Sequence, residues 1–196
     1  MKYNYIEKSL NTLLIHLHGT GGDEESLINL VEYIDPEASL LGIRGNVVES
    51  GMNRFFKRIK PGVFDEENLL FETENLKKLI DDFLNKNNYK KVVVIGYSNG
   101  ANILGSLLFN YGRIFDGSIL MHPMVPLKNF SIKNQGNQKV LITAGKNDLM
   151  VNEAEADELF ELLKKNNASV DILKYLSGHN ISNKEVEDIK IWYNKL

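Results

Sequence analysis

Short continuous apolar runs alternate along this chain with longer segments in which apolar residues recur every three or four positions. A continuous apolar run predicts a strand buried on both faces, and a period near 3.6 predicts a helix that buries one stripe. The predicted strands are Thr12–His18, Ser39–Ile43, Lys91–Ile95, Asp116–Met121, Lys139–Thr143 and Val170–Leu176. The predicted helices are Glu24–Ile34, Glu66–Asn85, Ser98–Phe109, Glu153–Lys165 and Lys184–Tyr193. This alternation predicts a three-layer α/β sandwich around a mostly parallel, doubly wound sheet.

The pattern contains no internal repeat and no low-complexity linker, so we expect residues 1–196 to form a single domain. The net charge of −3 gives no electrostatic reason to expect nucleic acid or an anionic membrane as a partner. The apolar run Leu13–Leu17 is too short to span a membrane and is interrupted by His16. The chain has no cysteine, which excludes disulfides and thiolate metal sites and fits the cytoplasm, where we expect the protein.

The segment Gly96-Tyr97-Ser98-Asn99-Gly100 lies between a predicted strand and a predicted helix and has the pattern G-x-S-x-G. A tight strand-to-helix turn leaves no room for Cβ atoms at the two glycines, and it exposes the serine hydroxyl from a strained backbone conformation. We therefore interpret Ser98 as a nucleophile. The alternative is an ordinary N-cap serine, which does not require glycines on both sides at this spacing.

Asp148 and His179 follow the last two predicted strands, so the three groups occur in the order Ser, Asp, His. An imidazole titrates near neutral pH and can accept the serine proton, while a carboxylate holds the imidazole in the required tautomer. Because parallel strands end at one edge of a sheet, we predict that Ser98, Asp148 and His179 form a catalytic triad. Glu153 is the alternative acid, and an ordinary loop residue is the alternative interpretation of His179.

A tetrahedral oxyanion needs two preorganised N–H donors. The N–H of Asn99 begins the helix after the elbow, and the Gly-rich loop His18–Gly22 follows an earlier strand. We expect the backbone N–H groups of Thr20 and Asn99 to form the oxyanion hole, with Gly21 as the second choice in the loop. The loop can also be a simple turn before an N-cap at Asp23, and both interpretations can hold at once.

The spacing of His16 and His18 places both side chains on one face of a strand, which raises the possibility of a metal site. No carboxylate–histidine partner follows closely, so we expect no metal and interpret His18 as a buried residue that braces its loop. The glycines after His18 do not form a phosphate-binding loop, because no Gly-Lys-Ser/Thr follows them. We expect the protein to need no cofactor.

The chain resembles the α/β-hydrolase superfamily over nearly its whole length. The resemblance rests on His18-Gly19-Thr20-Gly21-Gly22, Gly96-Tyr97-Ser98-Asn99-Gly100-Ala101-Asn102, Asp148 and Gly178-His179. Within the superfamily it is most similar to the small carboxylesterase/phospholipase group, related to the dienelactone hydrolases. A bacterial branch associated with quinone or catechol stress is also similar at Arg44-Gly45, Phe55-Phe56, Gly62–Glu66 and His122–Pro126. The resemblance implies the same triad and the same two oxyanion donors.

We therefore expect a serine carboxylesterase that hydrolyses small acyl or aryl esters through an acyl-enzyme, as a monomer or homodimer. Its partner would be a small-molecule ester. A thioesterase or lysophospholipase with the same triad is one alternative, and a non-catalytic small-molecule sensor is another. The intact triad argues against the sensor, because ligand binding alone does not need an aligned acid, base and nucleophile, and the fold cannot decide the matter.

The substrate cleft is expected to be shallow and open, because no insertion of cap size interrupts the pattern and His122–Gln138 is predicted to be a loop without a helical lid. Its walls are expected to come from the Arg44–Arg58 loop and from Met124, Val125 and Met150. The side chains expected to contact the acyl or aryl group are Phe55, Phe56, Met124 and Met150. The alternative is that such apolar residues only cover the core.

Two arginines of the same loop have two possible roles. Arg44 and Arg54 can bind a substrate carboxylate or can pair with Glu49. Structural pairing is favoured, because buried loop arginines usually hold loops together.

Overall fold

The computed structural model describes residues 1–196 and contains one seven-stranded sheet and two short hairpins. The strands, in chain order, are β1 (Lys2–Ile6), β2 (Thr12–Leu17), β3 (Ser39–Arg44), β4 (Val47–Glu49), β5 (Met52–Arg54), β6 (Arg58–Lys60), β7 (Val63–Phe64), β8 (Lys91–Tyr97), β9 (Gly117–Met121), β10 (Lys139–Gly145) and β11 (Ser169–Tyr175). The helices are α1 (Ile28–Ile34), α2 (Glu66–Lys86), α3 (Asn99–Tyr111), α4 (Glu153–Lys165) and α5 (Asn183–Tyr193).

The large sheet has the strand order β1-β3-β2-β8-β9-β10-β11, and every neighbouring pair except β1 and β3 is parallel. The predicted mostly parallel, doubly wound sheet is therefore confirmed. Its parallel strands all point their carboxyl ends at one edge. Ser98 follows β8 there, and the loops after β10 and β11 reach the same edge.

Helices cover both faces of the sheet and enclose two apolar clusters. Leu13, Ile15 and Leu17 of β2 pack on the face covered by α2, α3 and α4. Leu14 of the same strand packs on the other face with residues of α1 and α5. Successive side chains of a strand point to opposite faces, so a central strand covered on both sides must be apolar throughout. Burial of both faces of the sheet therefore explains the continuous apolar runs in the sequence.

Three local features differ from the sequence-based predictions. The edge strand β1 was not predicted, because Lys2–Ile6 is only half-buried and lacks a continuous apolar run. Helix α1 begins at Ile28, four residues after the predicted start, since Glu24 and its neighbours form turns. The segment between β3 and α2 contains two hairpins whose strands are two or three residues long, too short for a periodicity to reveal.

No helix of the structure combines the length and the apolar character that crossing a bilayer requires.

Candidate active site

The turn between β8 and α3 holds Ser98 at φ 51° and ψ −110°, outside the regions that non-glycine residues favour. The Ser98 N–H donates to the carbonyl of Met121 at 2.8 Å, which secures the turn to the next strand. A Cβ on Gly96 would overlap the backbone of Gly100, and a Cβ on Gly100 would overlap the carbonyl of Leu17. The two glycines are therefore required by the packing of the turn.

Ser98, His179 and Asp148 form one chain of hydrogen bonds. Nε2 of His179 lies 2.8 Å from Oγ of Ser98, and Nδ1 lies 2.6 Å from Oδ2 of Asp148. The other carboxylate oxygen of Asp148 accepts the N–H groups of Met150 and Val151 at 2.8 and 2.9 Å. With Nδ1 donating to the carboxylate, Nε2 is free to accept the proton of the serine hydroxyl.

Asp148 is held in the ionised form. Its side chain is only 2% exposed, whereas that of His179 is 14% exposed. Burial by itself raises the pKa of Asp148, but the hydrogen bonds from His179 and from the N–H groups of Val151 and Met150 outweigh burial and lower it. A carboxylate that is ionised at neutral pH can stabilise the imidazolium that forms when His179 accepts a proton.

Two backbone N–H groups are available near Ser98 for an oxyanion. Asn99 is the first residue of α3, and the first N–H groups of a helix have no acceptor within that helix. The N–H of Thr20 makes no hydrogen bond within the chain, while its hydroxyl accepts Nη1 of Arg54 at 2.8 Å. Both residues line the same cleft as Ser98.

His18 braces the Gly-rich loop from its base. The N–H of Gly45 donates to Nε2 of His18 at 3.1 Å, so Nδ1 carries the ring proton and donates to the carbonyl of Gly19 at 2.6 Å. Burial lowers the pKa of His18, which favours this neutral form. Both ring nitrogens of His18 are therefore engaged in positioning the loop.

The cleft beside Ser98 has a volume of about 400 Å³. Of the four expected substrate contacts, Met124 and Met150 line it, but Phe55 and Phe56 do not. Both phenylalanines are 0% exposed and belong to the main apolar cluster, so the expectation that they contact substrate is wrong. Their rings pack in the core, while Arg54 and Arg58 on either side of them in the chain line the cleft. Val125 is also buried, and Val151 lines the cleft in its place.

Of the two arginines expected to pair with Glu49, only Arg54 does so. Nε of Arg54 lies 3.8 Å from Glu49, and Nε of Arg58 lies 2.7 Å from the same carboxylate. Arg44 bonds to Glu24 and lies 3.5 Å from Asp23, so its expected pairing with Glu49 is wrong. Arg54 and Arg58 line the cleft, where they face one carboxylate between them.

Two asparagines connect the elbow helix to the two walls of the cleft, and the sequence analysis missed this role. Oδ1 of Asn99 accepts the N–H of Phe55 at 2.7 Å, and Oδ1 of Asn102 accepts the N–H of Met124 at 2.7 Å. Both asparagines are buried in the first turn of a mostly apolar helix. That unusual placement of two polar side chains was the available signal.

His122 and Glu185 were also missed. His122 follows β9, and its ring lies between Asp148 and the buried Glu185. Donor atoms of His122, Asp148 and His179 lie within 4.8 Å of one another, the kind of grouping that can hold a metal ion. We assign the group as a hydrogen-bonded one, because Oδ2 of Asp148 lies 2.6 Å from Nδ1 of His179 and 3.4 Å from Nδ1 of His122.

A doubly wound sheet, a serine on a strand-to-helix elbow and a histidine–aspartate pair at the same sheet edge define an α/β hydrolase. A family model described as "Dienelactone hydrolase family" matches residues 65–195. The chain belongs to the dienelactone hydrolase family, and it is a hydrolase of the esterase type.

Individual relatives agree with this assignment. The chain is 42% identical to "Putative hydrolase MhqD" of Bacillus subtilis (strain 168), over 100% of this chain and 98% of that protein. The crystal structure of the Bacillus cereus carboxylesterase matches with a TM-score of 0.95 and 44% identity, covering 100% of this chain and 94% of that one. The structure of YahD with malic acid matches with a TM-score of 0.92 and 28% identity, covering 99% and 98%.

Proposed function

We propose that this protein is a serine carboxylesterase that hydrolyses small acyl or aryl esters through a Ser98–His179–Asp148 triad. The observation that carries the proposal is the continuous hydrogen-bond chain from Oγ of Ser98 through both nitrogens of His179 to Asp148, at 2.8 and 2.6 Å. An unactivated serine is a poor nucleophile, and this chain supplies the base that activates it.

In the acylation step, Oγ of Ser98 attacks the ester carbonyl carbon while its proton passes to Nε2 of His179. The carbonyl oxygen becomes an oxyanion that accepts hydrogen bonds from the N–H groups of Thr20 and Asn99. Asp148 stabilises the imidazolium on the other side of the ring. His179 then returns the proton to the alcohol oxygen as the carbon–oxygen bond breaks, which leaves Ser98 acylated.

In the deacylation step, a water molecule gives its proton to His179 and attacks the acyl carbon. The second tetrahedral intermediate uses the same two N–H donors, and its collapse returns the proton to Oγ of Ser98 and releases the acid. Apart from the ester and water, each step uses only side chains and backbone groups of this chain, so the proposed mechanism needs no cofactor.

The charges of the cleft favour an ester that carries a negative group. Arg54 and Arg58 line the cleft and share a single carboxylate, Glu49, so this wall is positive. The related structure of YahD with malic acid contains a small dicarboxylic acid. We therefore expect a half-ester of a dicarboxylic acid to have a lower KM than the matching neutral diester. Replacing Arg58 by Gln should remove most of that difference, whereas equal KM values in the unaltered protein would contradict it.

The triad is tested by comparing the unaltered protein with Ser98→Ala and His179→Ala on a short-chain aryl ester. Each variant should lose about 10³-fold or more in kcat, because triad members act as a unit. Ser131→Ala, which replaces an exposed loop serine, is the matched control and should retain full activity. Equal turnover by Ser98→Ala would exclude the serine mechanism.

The same proteins separate the alternatives. A fluorophosphonate should label the unaltered chain and Ser131→Ala but not Ser98→Ala. Labelling without steady-state hydrolysis of any ester would favour a sensor. A kcat/KM at least tenfold higher for a thioester or a lysophospholipid than for the aryl ester would favour a thioesterase or lysophospholipase with the same triad.

A further inference from the structure

A second histidine, His122, contacts Asp148, the proposed catalytic acid. His122 follows β9 with φ 51°, and its N–H donates to the carbonyl of Thr143 at 2.8 Å. Its side chain is completely buried, with Nδ1 3.4 Å from Oδ2 of Asp148 and Nε2 3.3 Å from Oε2 of Glu185. Both nitrogens of one imidazole therefore face carboxylate oxygens. A neutral imidazole can donate from only one nitrogen, whereas an imidazolium can donate from both.

Glu185 has no other cation beside it. Its side chain is completely buried in the first turn of α5. Oε1 accepts the hydroxyl of Thr143 at 2.6 Å, and Oε2 accepts the N–H of Ser182 at 3.3 Å as part of a capping box. A buried carboxylate without a positive partner is strongly disfavoured. His122 is the residue in contact with Glu185 that can carry the balancing charge.

The groups that face His122 come from four parts of the chain. Asp148 lies in the loop after β10, Glu185 in α5, Tyr97 at the end of β8 and His179 after β11. The ring centroid of His122 lies 5.3 Å from that of His179 and 5.9 Å from that of Tyr97, with both pairs edge-to-face. Burial and the two carboxylates raise the pKa of Tyr97, which keeps its phenol neutral. Two anions and no fixed cation therefore surround His122.

These surroundings determine the protonation of His122. Burial by itself lowers the pKa of His122, but the hydrogen bonds and charges of Glu185 and Asp148 outweigh burial and raise it above its ordinary value. We propose that His122 is a permanently charged imidazolium that bridges Asp148 and Glu185, and that His122 and Glu185 are positioning residues of the triad. This inference rests on the triad of the proposed function.

The bridge has two consequences for the proposed reaction. Oδ2 of Asp148 lies within hydrogen-bond distance of both imidazoles, so His122 gives the carboxylate a second donor that holds it in place. The positive charge of His122 also disfavours a second positive charge on the nearby His179 ring. Glu185 maintains that charge.

Glu185→Gln tests the inference through the pH profile of ester hydrolysis. Gln retains the acceptor that the capping box needs but removes the negative charge. His122 should then lose the charge that Glu185 maintains, so the positive charge beside the His179 ring, 5.3 Å away, disappears. The acidic limb of kcat/KM should move to higher pH by about half to one pH unit. Below that limb, kcat/KM should fall by about three- to tenfold, because each pH unit is a factor of ten.

The sign of the shift distinguishes this proposal from its alternative. If His122 were neutral in the unaltered protein, Glu185→Gln would remove only a negative charge, and the acidic limb would move to lower pH. An acidic limb that stays at the same pH or moves to lower pH would overturn the proposal. Ser182→Ala is the matched control, because it removes the same helix cap but leaves both charges. Ser182→Ala should be less stable than the unaltered protein, and the acidic limb of its kcat/KM should lie at the same pH.

A second measurement does not depend on activity or on the folding of Glu185→Gln. Nitrogen NMR of the unaltered protein and of Ser98→Ala should show protons on both ring nitrogens of His122 near neutral pH. The chain has four histidines, so single-histidine variants suffice to assign the signals. One unprotonated nitrogen in His122 would overturn the inference. Activity retained by Ser98→Ala would instead overturn the proposed function, without changing the state of His122.

Discussion

Among single residues, Gly100 shows how strongly the elbow constrains the chain. A Cβ at this position would overlap the backbone carbonyls of Leu17 and His18, which belong to the centre of the sheet and its Gly-rich loop. Neither carbonyl can move without distorting the sheet beside it. The position of the Ser98 hydroxyl therefore depends on the absence of one methyl group.

Gly100→Ala should lower the free energy of unfolding by about 3 kcal/mol or more, because overpacking here is against backbone. Gly178→Ala is the matched control, since the nearest atoms to its new Cβ lie at ordinary contact distances of 3.6 and 3.7 Å. Its stability should change by no more than about 0.5 kcal/mol. Urea unfolding of both variants measures the difference, and equal stabilities would contradict the steric explanation.

Asn99 has a different effect, because its side chain accepts a hydrogen bond from a buried backbone N–H group. Replacing it by Ala leaves the N–H of Phe55 without its acceptor, which should cost about 1–3 kcal/mol of stability and raise KM by loosening the cleft wall. In Asn134→Ala the lost bond, to the N–H of Gly136, is exposed, so its effect should be much smaller. Comparable losses in the two variants would show that burial of the Phe55 N–H is unimportant.

At the level of elements, the hairpin of β4 and β5 forms a fixed wall of the cleft. The N–H of Gly21 donates to the carbonyl of Asn53 at 2.9 Å, and the side chain of Asn53 donates to the carbonyl of Gly22 at 2.9 Å. Together with the Asn99–Phe55 bond, these contacts join the hairpin to the elbow and to the Gly-rich loop His18–Gly22. The hairpin is therefore fixed to the two segments that carry the proposed nucleophile and the proposed oxyanion donors.

Hydrogen exchange can measure this rigidity. The amides of Gly21 and Phe55 should exchange at least about tenfold more slowly than that of Gly51 at the exposed hairpin tip, because only the former are hydrogen-bonded to the rest of the protein. This protection should already be present in the protein without a bound inhibitor such as a fluorophosphonate. Fast exchange at all three amides would indicate that the hairpin is a mobile flap.

At the scale of the whole molecule, the buried carboxylate of Glu24 makes the free energy of unfolding depend on pH. Glu24 is buried and contacts Lys2 of β1 at 2.7 Å and Arg44 at the end of β3. Burial by itself raises the pKa of Glu24, but hydrogen bonds with Lys2 and Arg44 lower it to about 2. The folded pKa thus lies below the ordinary value of 4.5. Its stabilisation is complete above that value and is lost as pH falls toward about 2.

Glu24→Gln should therefore be less stable than the unaltered protein at neutral pH, by about 2 kcal/mol, and the difference should shrink on acidification to about pH 3. Urea unfolding at both pH values gives the comparison. Glu25→Gln changes an exposed neighbouring carboxylate and should leave the pH dependence nearly unaltered. A constant difference between the two pH values would show that Glu24 acts through packing and not through its charge.

The sequence by itself determined the layered fold and the order of the proposed catalytic groups. Both follow from local segments of the chain. Apolar runs require strands covered on two faces, and the glycines of Gly96–Gly100 leave the room that a tight strand-to-helix turn needs. Because parallel strands end at one edge, the positions of Asp148 and His179 after two later strands were enough to predict their proximity to Ser98.

Only the tertiary structure decided what surrounds that triad. The inward turn of Phe55 and Phe56 depends on hairpins too short to have a periodicity, and the partners of Arg44 depend on how the turn at Glu24 packs. His122 and Glu185 are 63 residues apart in the chain and meet only because β9 and α5 pack against the same strand, β10. Local patterns specify elements, whereas contacts between distant residues arise from packing and leave no periodic trace in the sequence.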